Sequence, residues 1–219
     1  MHPFSLRAAG PAEPWVILQA ENVLLDRKGH CKLGRFELAK QLGRGSGSDP
    51  PRTFTVCAGK LGNLAPEQVL HLGHDRAVDL WGLGVLLFEL LTGHSPFEIG
   101  PGGRSSDSSP LAGDALLMLQ RIVEGRYLVK AASECKHYTP VVADLVRRLL
   151  TVDPIRRLGG GGGSALDILE HKWMQSRSTI DLASVKEQRC APPWKIESIF
   201  PPPVGTGSIE TKIGDLADF

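Results

Sequence analysis

The sequence has few cysteines, no excess of charge of either sign and no long apolar run. Its four cysteines are scattered over 219 residues without a Cys-x-x-Cys pair, which argues against a zinc site and against a disulfide scaffold. Lysine and arginine number 25 against 24 for aspartate and glutamate, so neither nucleic acid nor an anionic membrane is expected as a partner. A binding surface must therefore be local.

No segment has the composition of a targeting or membrane-spanning sequence. The first residues, MHPFSLRAAGPAEPW, lack the apolar stretch of a secretory signal. The richest apolar run, Leu80 to Leu91, is shorter than the roughly 20 residues that cross a bilayer. We therefore expect a cytoplasmic protein with one hydrophobic core behind a flexible leader.

The apolar run is predicted to be the centre of the fold. Residues Ala77 to Leu91 predict a long helix that ends at Gly93, a residue type favoured at helix C-termini. Its apolar side chains occur around the whole helix, which predicts that no side of it meets solvent. These side chains are Leu80, Trp81, Leu83, Val85, Leu86, Leu87, Phe88, Leu90 and Leu91. We call this element the hub helix and expect the other helices to pack around it.

Short strands are predicted before the hub helix. Residues 16–26 and 31–36 read as two strands joined by the turn RKGH, which makes a hairpin. Residues 41–53, rich in Gly, Ser and Pro, read as an extended loop. The stretch APEQVL begins a short helix at its proline.

Three helical patterns are predicted after the hub helix, over 115–125, 139–152 and 164–174, the last with Ser164 as an N-cap. The polar, low-complexity residues 98–114 predict a loop.

Two further stretches are predicted to lack regular structure. Five consecutive glycines, 159–163, read as a slack linker, since neither a phosphate-site lysine nor a preceding strand accompanies them. The proline-rich segment that follows residue 190 predicts an extended tail.

Several stretches, taken in order, resemble the large lobe of eukaryotic protein kinases of the AGC group. They are ENVLLD (21–26), KLGRFELAK (32–40), LAPE (64–67), AVDLWGLGVLLFELLTGHSPF (77–97), and RRLLTVDPIRRLG with ILEHKWM (147–174). The resemblance is greatest to the cyclic-nucleotide-dependent kinases. Within that group, the stretches GHCKL and LLTGHSPF and the terminal DLADF resemble either the cGMP-dependent branch or the plant proteins that join such a kinase to a phosphatase.

The resemblance implies an α+β, mostly helical, protein-kinase-like fold that consists of the C-terminal lobe only. Its implied organisation is a leader over 1–14, the lobe over 15–175 and an AGC-type C-terminal tail over 176–219. The sequence contains no glycine-rich loop with a lysine strand, and no stretch matching helix E, so one flank of the hub helix is expected to lie bare and to invite a protein partner.

The family's catalytic residues are replaced. Kinases hold ATP and Mg²⁺ with a Lys, an Asp and an Asn and orient the substrate hydroxyl with a second Asp. Counting back from Asn22, the position of this catalytic base is Ile17 and that of the lysine is Gln19; the Asp-Phe-Gly segment reads Arg35, Phe, Glu37. Asn22 is either a vestigial metal ligand or a structural hairpin residue. No cofactor is expected for the chain as it stands.

The resemblance also places a regulatory threonine. Thr55 matches the activation-loop phosphosite, with Lys40 and Arg52 as possible partners of a phosphate, whereas the third expected arginine is Val16. An unmodified surface threonine is the alternative. The loop before the APE motif is one residue longer than in the family and carries Asn63 at a tyrosine position.

The family's scaffolding residues are retained. Glu67 and Arg157 match a buried ion pair that braces the activation segment, and Asp79 matches the aspartate that caps amides beneath the catalytic loop.

Retained scaffolding beside altered chemistry favours an inactive, pseudokinase-like fragment that acts as a protein-interaction module. The alternatives are a partial or misjoined product of an active, ATP-dependent Ser/Thr kinase and an unrelated helical domain.

Overall fold

The computed structural model describes residues 18–26, 28–36, 39, 52–53, 60–99, 110–128, 135–176, 184–185, 187 and 189–191. Its strands and helices are β1 (Val23–Leu25), β2 (Cys31–Leu33), α1 (Pro66–Val69), α2 (Ala77–Thr92), α3 (Pro110–Glu124), α4 (Pro140–Leu149), α5 (Ala165–Leu169) and α6 (Lys172–Gln175). Within these ranges no helix combines the length and the hydropathy of a membrane span.

The predicted hairpin is confirmed, with shorter strands than expected. β1 pairs antiparallel with β2, with Val23 opposite Leu33. The Asp26 side chain closes the turn, because its Oδ1 accepts the backbone N–H groups of Lys28 and His30, both at 2.9 Å. Residues 20–22, predicted as strand, form a 3₁₀ turn instead.

The hub helix, α2, is confirmed as the centre of the core. Trp81, Val85 and Phe88 are fully buried, and the Trp81 ring stacks on Phe97 with 5.5 Å between the ring centroids. Gly84 allows α4 to approach closely, since a Cβ on it would lie 2.9 Å from the Cβ of Leu149. The helix ends where predicted to within a residue, with Gly93 in the left-handed conformation at φ 75°.

The prediction that no side of the hub helix meets solvent is wrong at its C-terminal end. Leu90 is 71% exposed. Leu80, Leu83 and Leu87 are only partly buried, where they pack against a second hydrophobic cluster that includes residues of α4. Among the described residues, the helices around α2 cover the side that carries Trp81 and leave Leu90 on the opposite side exposed.

Residues 110–114 are helical, so the loop predicted over 98–114 is too long. Pro110 is the first residue of α3, where a missing N–H costs no hydrogen bond. Further along, Met118, Leu119 and Ile122 pack on the core, and this apolar side outweighs the polar composition of the preceding residues.

The helix predicted over 164–174 is two short helices, α5 and α6. The Ser164 cap is confirmed, since its Oγ accepts the N–H of Leu166 at 3.1 Å and Asp167 Oδ2 accepts the N–H of Ser164 at 2.9 Å. The chain breaks at His171, whose Nδ1 accepts the N–H of Trp173 and so begins α6.

The five glycines form a packed turn, and the prediction of a slack linker is wrong. Gly159 and Gly160 are buried, and a Cβ on Gly160 would lie 2.1 Å from the carbonyl oxygen of Pro154. The Arg76 guanidinium donates to the carbonyl oxygens of Gly161 and Gly163. Glycine is required here because the backbone passes too close to its neighbours for a side chain.

Substituting alanine in this turn is expected to change the free energy of unfolding differently at two positions. Gly160→Ala should lower the free energy of unfolding by about 1–3 kcal/mol, because the new methyl overlaps the Pro154 carbonyl. Gly162→Ala is the matched control, since a Cβ there meets no atom within 4 Å, and it should be neutral or slightly stabilising. Urea unfolding of both variants measures the difference; equal midpoints would mean that the turn is loose.

Candidate functional site

The candidate site lies where the chain enters the hairpin beside the hub helix. The carbonyl oxygen of Leu18 lies 3.0 Å from the position of a Cβ on Gly82, so the entering segment rests on the helix backbone. Gln19 is partly buried, and its side-chain oxygen has no hydrogen-bond partner. Ile17, at the position of the catalytic base, lies outside the described residues.

Asn22 and Arg35 lie at the same end of the hairpin. Asn22 is buried in the 3₁₀ turn, and its carbonyl oxygen accepts the N–H of Gly34 at 2.9 Å. Arg35 follows Gly34 directly. The hairpin therefore brings together Asn22 and Arg35, which stand where the kinase resemblance implies an asparagine and an aspartate that bind magnesium. Glu37 lies outside the described residues.

The backbone at Arg35 has a conformation that suits aspartate better than arginine. Its φ is 59°, in the left-handed region where asparagine and aspartate are the commonest residues besides glycine. An L-residue there costs roughly 1–2 kcal/mol. The exposed Arg35 thus occupies a backbone position whose conformation is more typical of aspartate.

These residues do not fit the magnesium ion that the kinase resemblance implies. Mg²⁺ is held by carboxylate oxygens, whereas Asn22 supplies a neutral amide and Arg35 a guanidinium that repels a cation. In the part of the chain that the structure describes, no three His, Cys, Asp or Glu side chains are grouped as a metal site.

The predicted phosphosite is not among the described residues. Thr55 and Lys40 lie outside the described residues, while Arg52 is exposed. The neighbouring Thr53 forms a two-bond bridge with His74, with N–H to oxygen distances of 2.9 Å in both directions.

Lys60 connects three parts of the site, a feature that the sequence analysis did not identify. Its Nζ lies 3.8 Å from a carboxylate oxygen of Glu21 and 3.9 Å from one of Glu89 in the hub helix. Burial raises the pKa of the Glu89 carboxyl, although the Lys60 charge acts in the opposite direction. The sequence feature that could have indicated this lysine as part of the site is the lengthened CAGKLGN loop that contains it.

Glu67 and Arg157 form a buried, bidentate ion pair. The Arg157 Nη1 and Nη2 atoms lie 2.7 and 2.8 Å from the two carboxylate oxygens of Glu67, and the exposed fractions of the two side chains are 0% and 4%. The guanidinium also donates to the carbonyl oxygens of Ala77, Thr151 and Val152, and it lies 5.1 Å from the centre of the Trp81 ring. All five N–H donors of this arginine therefore have an acceptor.

The start of the hub helix involves a second aspartate besides the predicted one. Asp79 is partly buried in the first turn of α2. Asp75, which the sequence analysis did not single out, accepts the N–H of Ala77 on its Oδ1 at 2.8 Å. Its position two residues before the first residue of the helix is the sequence feature that could have predicted this capping interaction.

Comparison with known proteins identifies the family. The protein kinase domain model matches residues 18–174, which is most of the chain. The chain belongs to the protein kinase family. It is 38% identical over 176 residues to the human cAMP-dependent protein kinase catalytic subunit PRKX, an alignment that covers 80% of this chain and 41% of PRKX.

Other relatives are also kinases of the AGC group. Human ribosomal protein S6 kinase alpha-4 is 38% identical over 77% of this chain and 20% of its own length, and cGMP-dependent protein kinase isozyme 1 of Drosophila melanogaster is 36% identical over 81% of this chain and 20% of its own length. The chain is therefore homologous to AGC Ser/Thr kinases, and it spans about two fifths of the length of PRKX.

The buried ion pair of this kinase domain predicts a large stability loss when one partner is removed. Glu67→Ala or Arg157→Ala should lower the free energy of unfolding by about 3–5 kcal/mol, because each leaves a buried charge without its counter-ion. Glu187→Ala, which breaks an exposed pair with Arg189, should cost at most about 1 kcal/mol. Chemical unfolding measures both; similar losses in the two cases would contradict the prediction.

The raised pKa of the Glu89 carboxyl predicts that its contribution to folding stability depends on pH. Because its pKa is raised in the folded state, the stability it contributes is present below the ordinary value of 4.5 and is lost as the pH rises through the folded-state pKa. Glu89→Gln should therefore unfold at a higher temperature than the unaltered chain near pH 7, and the gain should disappear near pH 4. The exposed Glu170→Gln is the control, since this carboxylate is not among the charges that shift the pKa of Glu89. A lower midpoint for Glu89→Gln at pH 7 would show that the ion pair with Lys60 outweighs the cost of burying the carboxylate.

Proposed function

We propose that this chain is a degenerate AGC-type kinase domain that transfers no phosphate and acts as a protein-interaction module. The observation that carries the proposal is Arg35, an exposed cation at the position where kinases place the aspartate that binds magnesium. Within the proposal, residues 15–175 are a C-terminal lobe and 176–219 an AGC-type tail of the cyclic-nucleotide-dependent kind, in a cytoplasmic protein without cofactor.

Two further substitutions support the loss of catalysis. An isoleucine at position 17 can neither accept a proton nor orient a hydroxyl, a function that contributes a rate factor of roughly 10² to 10⁴. Gln19 is uncharged where kinases have a lysine that stabilises the transferring phosphoryl group. Together with Arg35, these residues leave neither a divalent ion nor a base for phosphoryl transfer.

The retained scaffold supports the interaction role. The Glu67–Arg157 pair and the buried hub helix hold a folded core, while leucines on two helices remain exposed: Leu90 on α2 at 71% and Leu116 on α3 at 70%. Within the proposal, these exposed apolar side chains are contacts offered to a protein partner. The proposed partner is therefore a protein, with neither nucleic acid nor membrane involved.

A second function, ATP-dependent Ser/Thr phosphorylation, is favoured by one observation. The chain spans about two fifths of a relative named as a catalytic subunit, so an active enzyme would contain additional sequence. The residues at 17, 19 and 35 oppose this function whatever sequence is added.

A chimera separates the two functions. The part of human PRKX that this chain matches is replaced by this chain, and transfer of labelled γ-phosphate from ATP to a peptide is measured in the presence of Mg²⁺. We expect activity lower than that of PRKX by at least about 10³-fold, because the chimera lacks the base and a metal ligand.

The matched variant restores the family residues in the same chimera. Ile17→Asp, Gln19→Lys and Arg35→Asp together should recover measurable transfer, which shows that the chimera folds. Activity of the unaltered chimera close to that of PRKX would refute the proposal and favour the second function.

A further inference from the structure

An open cleft lined by arginines lies at the C-terminal end of α4, away from the hairpin. Its volume is about 500 Å³, and its lining residues are Arg147, Arg148, Thr151, Val152, Asp153 and Arg156. Three arginines thus line one cleft, and none of them belongs to the candidate site described above.

Asp144 holds two of the three arginines in place. Its Oδ1 accepts from Arg147, and its Oδ2 accepts from Arg148 Nε at 2.8 Å and lies 3.1 Å from Nε2 of the buried His171. The Arg147 and His171 bonds hold the pKa of the Asp144 carboxyl well below its usual range, so it stays ionised. Because both guanidiniums are already ordered, a ligand would not bear the full entropy cost of ordering them.

Arg156 is exposed, and no described residue forms a hydrogen bond or an ion pair with its guanidinium. Asp153 offsets part of the positive charge, although one of its oxygens accepts the N–H of Ile155 at 2.9 Å. Three arginines against the two carboxylates of Asp144 and Asp153 leave a local positive charge.

The backbone oxygens around the cleft are engaged by donors and so are less able to repel an anion. The Arg148 carbonyl accepts from Thr151 Oγ1 at 3.0 Å and from the N–H of Leu158 at 3.1 Å. The Thr151 and Val152 carbonyls accept from Arg157 at 2.9 and 3.2 Å. The negative end of the α4 dipole is therefore largely compensated where the arginines stand.

We propose that this cleft binds a phosphate dianion, either free or carried on a phosphorylated side chain. Guanidiniums bind oxyanions through paired N–H donors, and the several oxygens of a phosphate can accept from more than one of them. With 25 basic against 24 acidic residues, the composition does not favour a nucleic acid backbone as the source of the phosphate. The proposal does not depend on catalytic activity.

Titration calorimetry of the full chain with inorganic phosphate, at constant ionic strength in chloride, tests the proposal. Arg156→Gln should weaken phosphate binding by about tenfold, since a charge-assisted donor pair is lost. The affinity of Arg156→Lys for phosphate should lie between that of the unaltered chain and that of Arg156→Gln, because the charge remains without the paired donors. Lys136→Gln removes an exposed charge outside the cleft and should leave the affinity within about twofold.

Two additional measurements complete the test. Binding of inorganic phosphate should weaken as the pH falls below neutrality, where its dianion gains a proton, and binding of a phosphoserine peptide should weaken below about pH 6. A phosphoserine peptide that binds more tightly than inorganic phosphate, while its unphosphorylated form does not bind, identifies a protein-borne phosphate; equal affinities identify a free one. The proposal is overturned if Arg156→Gln and Lys136→Gln weaken binding equally, or if phosphate binds no better than chloride.

Discussion

The fold depends on a single buried guanidinium. Arg157 contacts the carboxylate of Glu67, the first residue of the hub helix and the carbonyls that follow α4, so one side chain joins segments that lie 80 and 90 positions apart in the sequence. A buried charge is tolerated only when its hydrogen-bonding groups are satisfied, and here all five donors are used. These segments cannot move independently without leaving a charged group unpaired, which fixes their relative positions.

The elements that the sequence predicted correctly are those with local signals. The hairpin, the hub helix with its terminal Gly93 and the Ser164 cap are all specified by residues within a few positions of one another. The glycine turn was predicted wrongly because its contacts come from Pro154 and Arg76, and composition does not show that a backbone will be buried by another part of the chain. The exposure of Leu90 likewise depends on which helices cover α2.

The candidate site shows the same division. The residues at the altered positions were read directly from the kinase resemblance, because only their identity was needed. The left-handed backbone of Arg35 and the ion pairs of Lys60 with Glu21 and Glu89 could not be predicted, since both result from how the hairpin, the loop and the hub helix meet in space. A longer loop with a lysine indicates a local change without indicating which carboxylates it reaches.

The contrast between the retained and the replaced residues has an energetic explanation. Arg35 is exposed, and its left-handed backbone costs roughly 1–2 kcal/mol, so an aspartate there can become an arginine without unfolding the protein. Glu67 and Arg157 are buried, and loss of either costs about 3–5 kcal/mol. Stability therefore protects the ion pair whether or not phosphate is transferred, whereas only selection for catalysis would protect an aspartate at position 35. A kinase domain released from that selection would keep its core and lose its metal ligand.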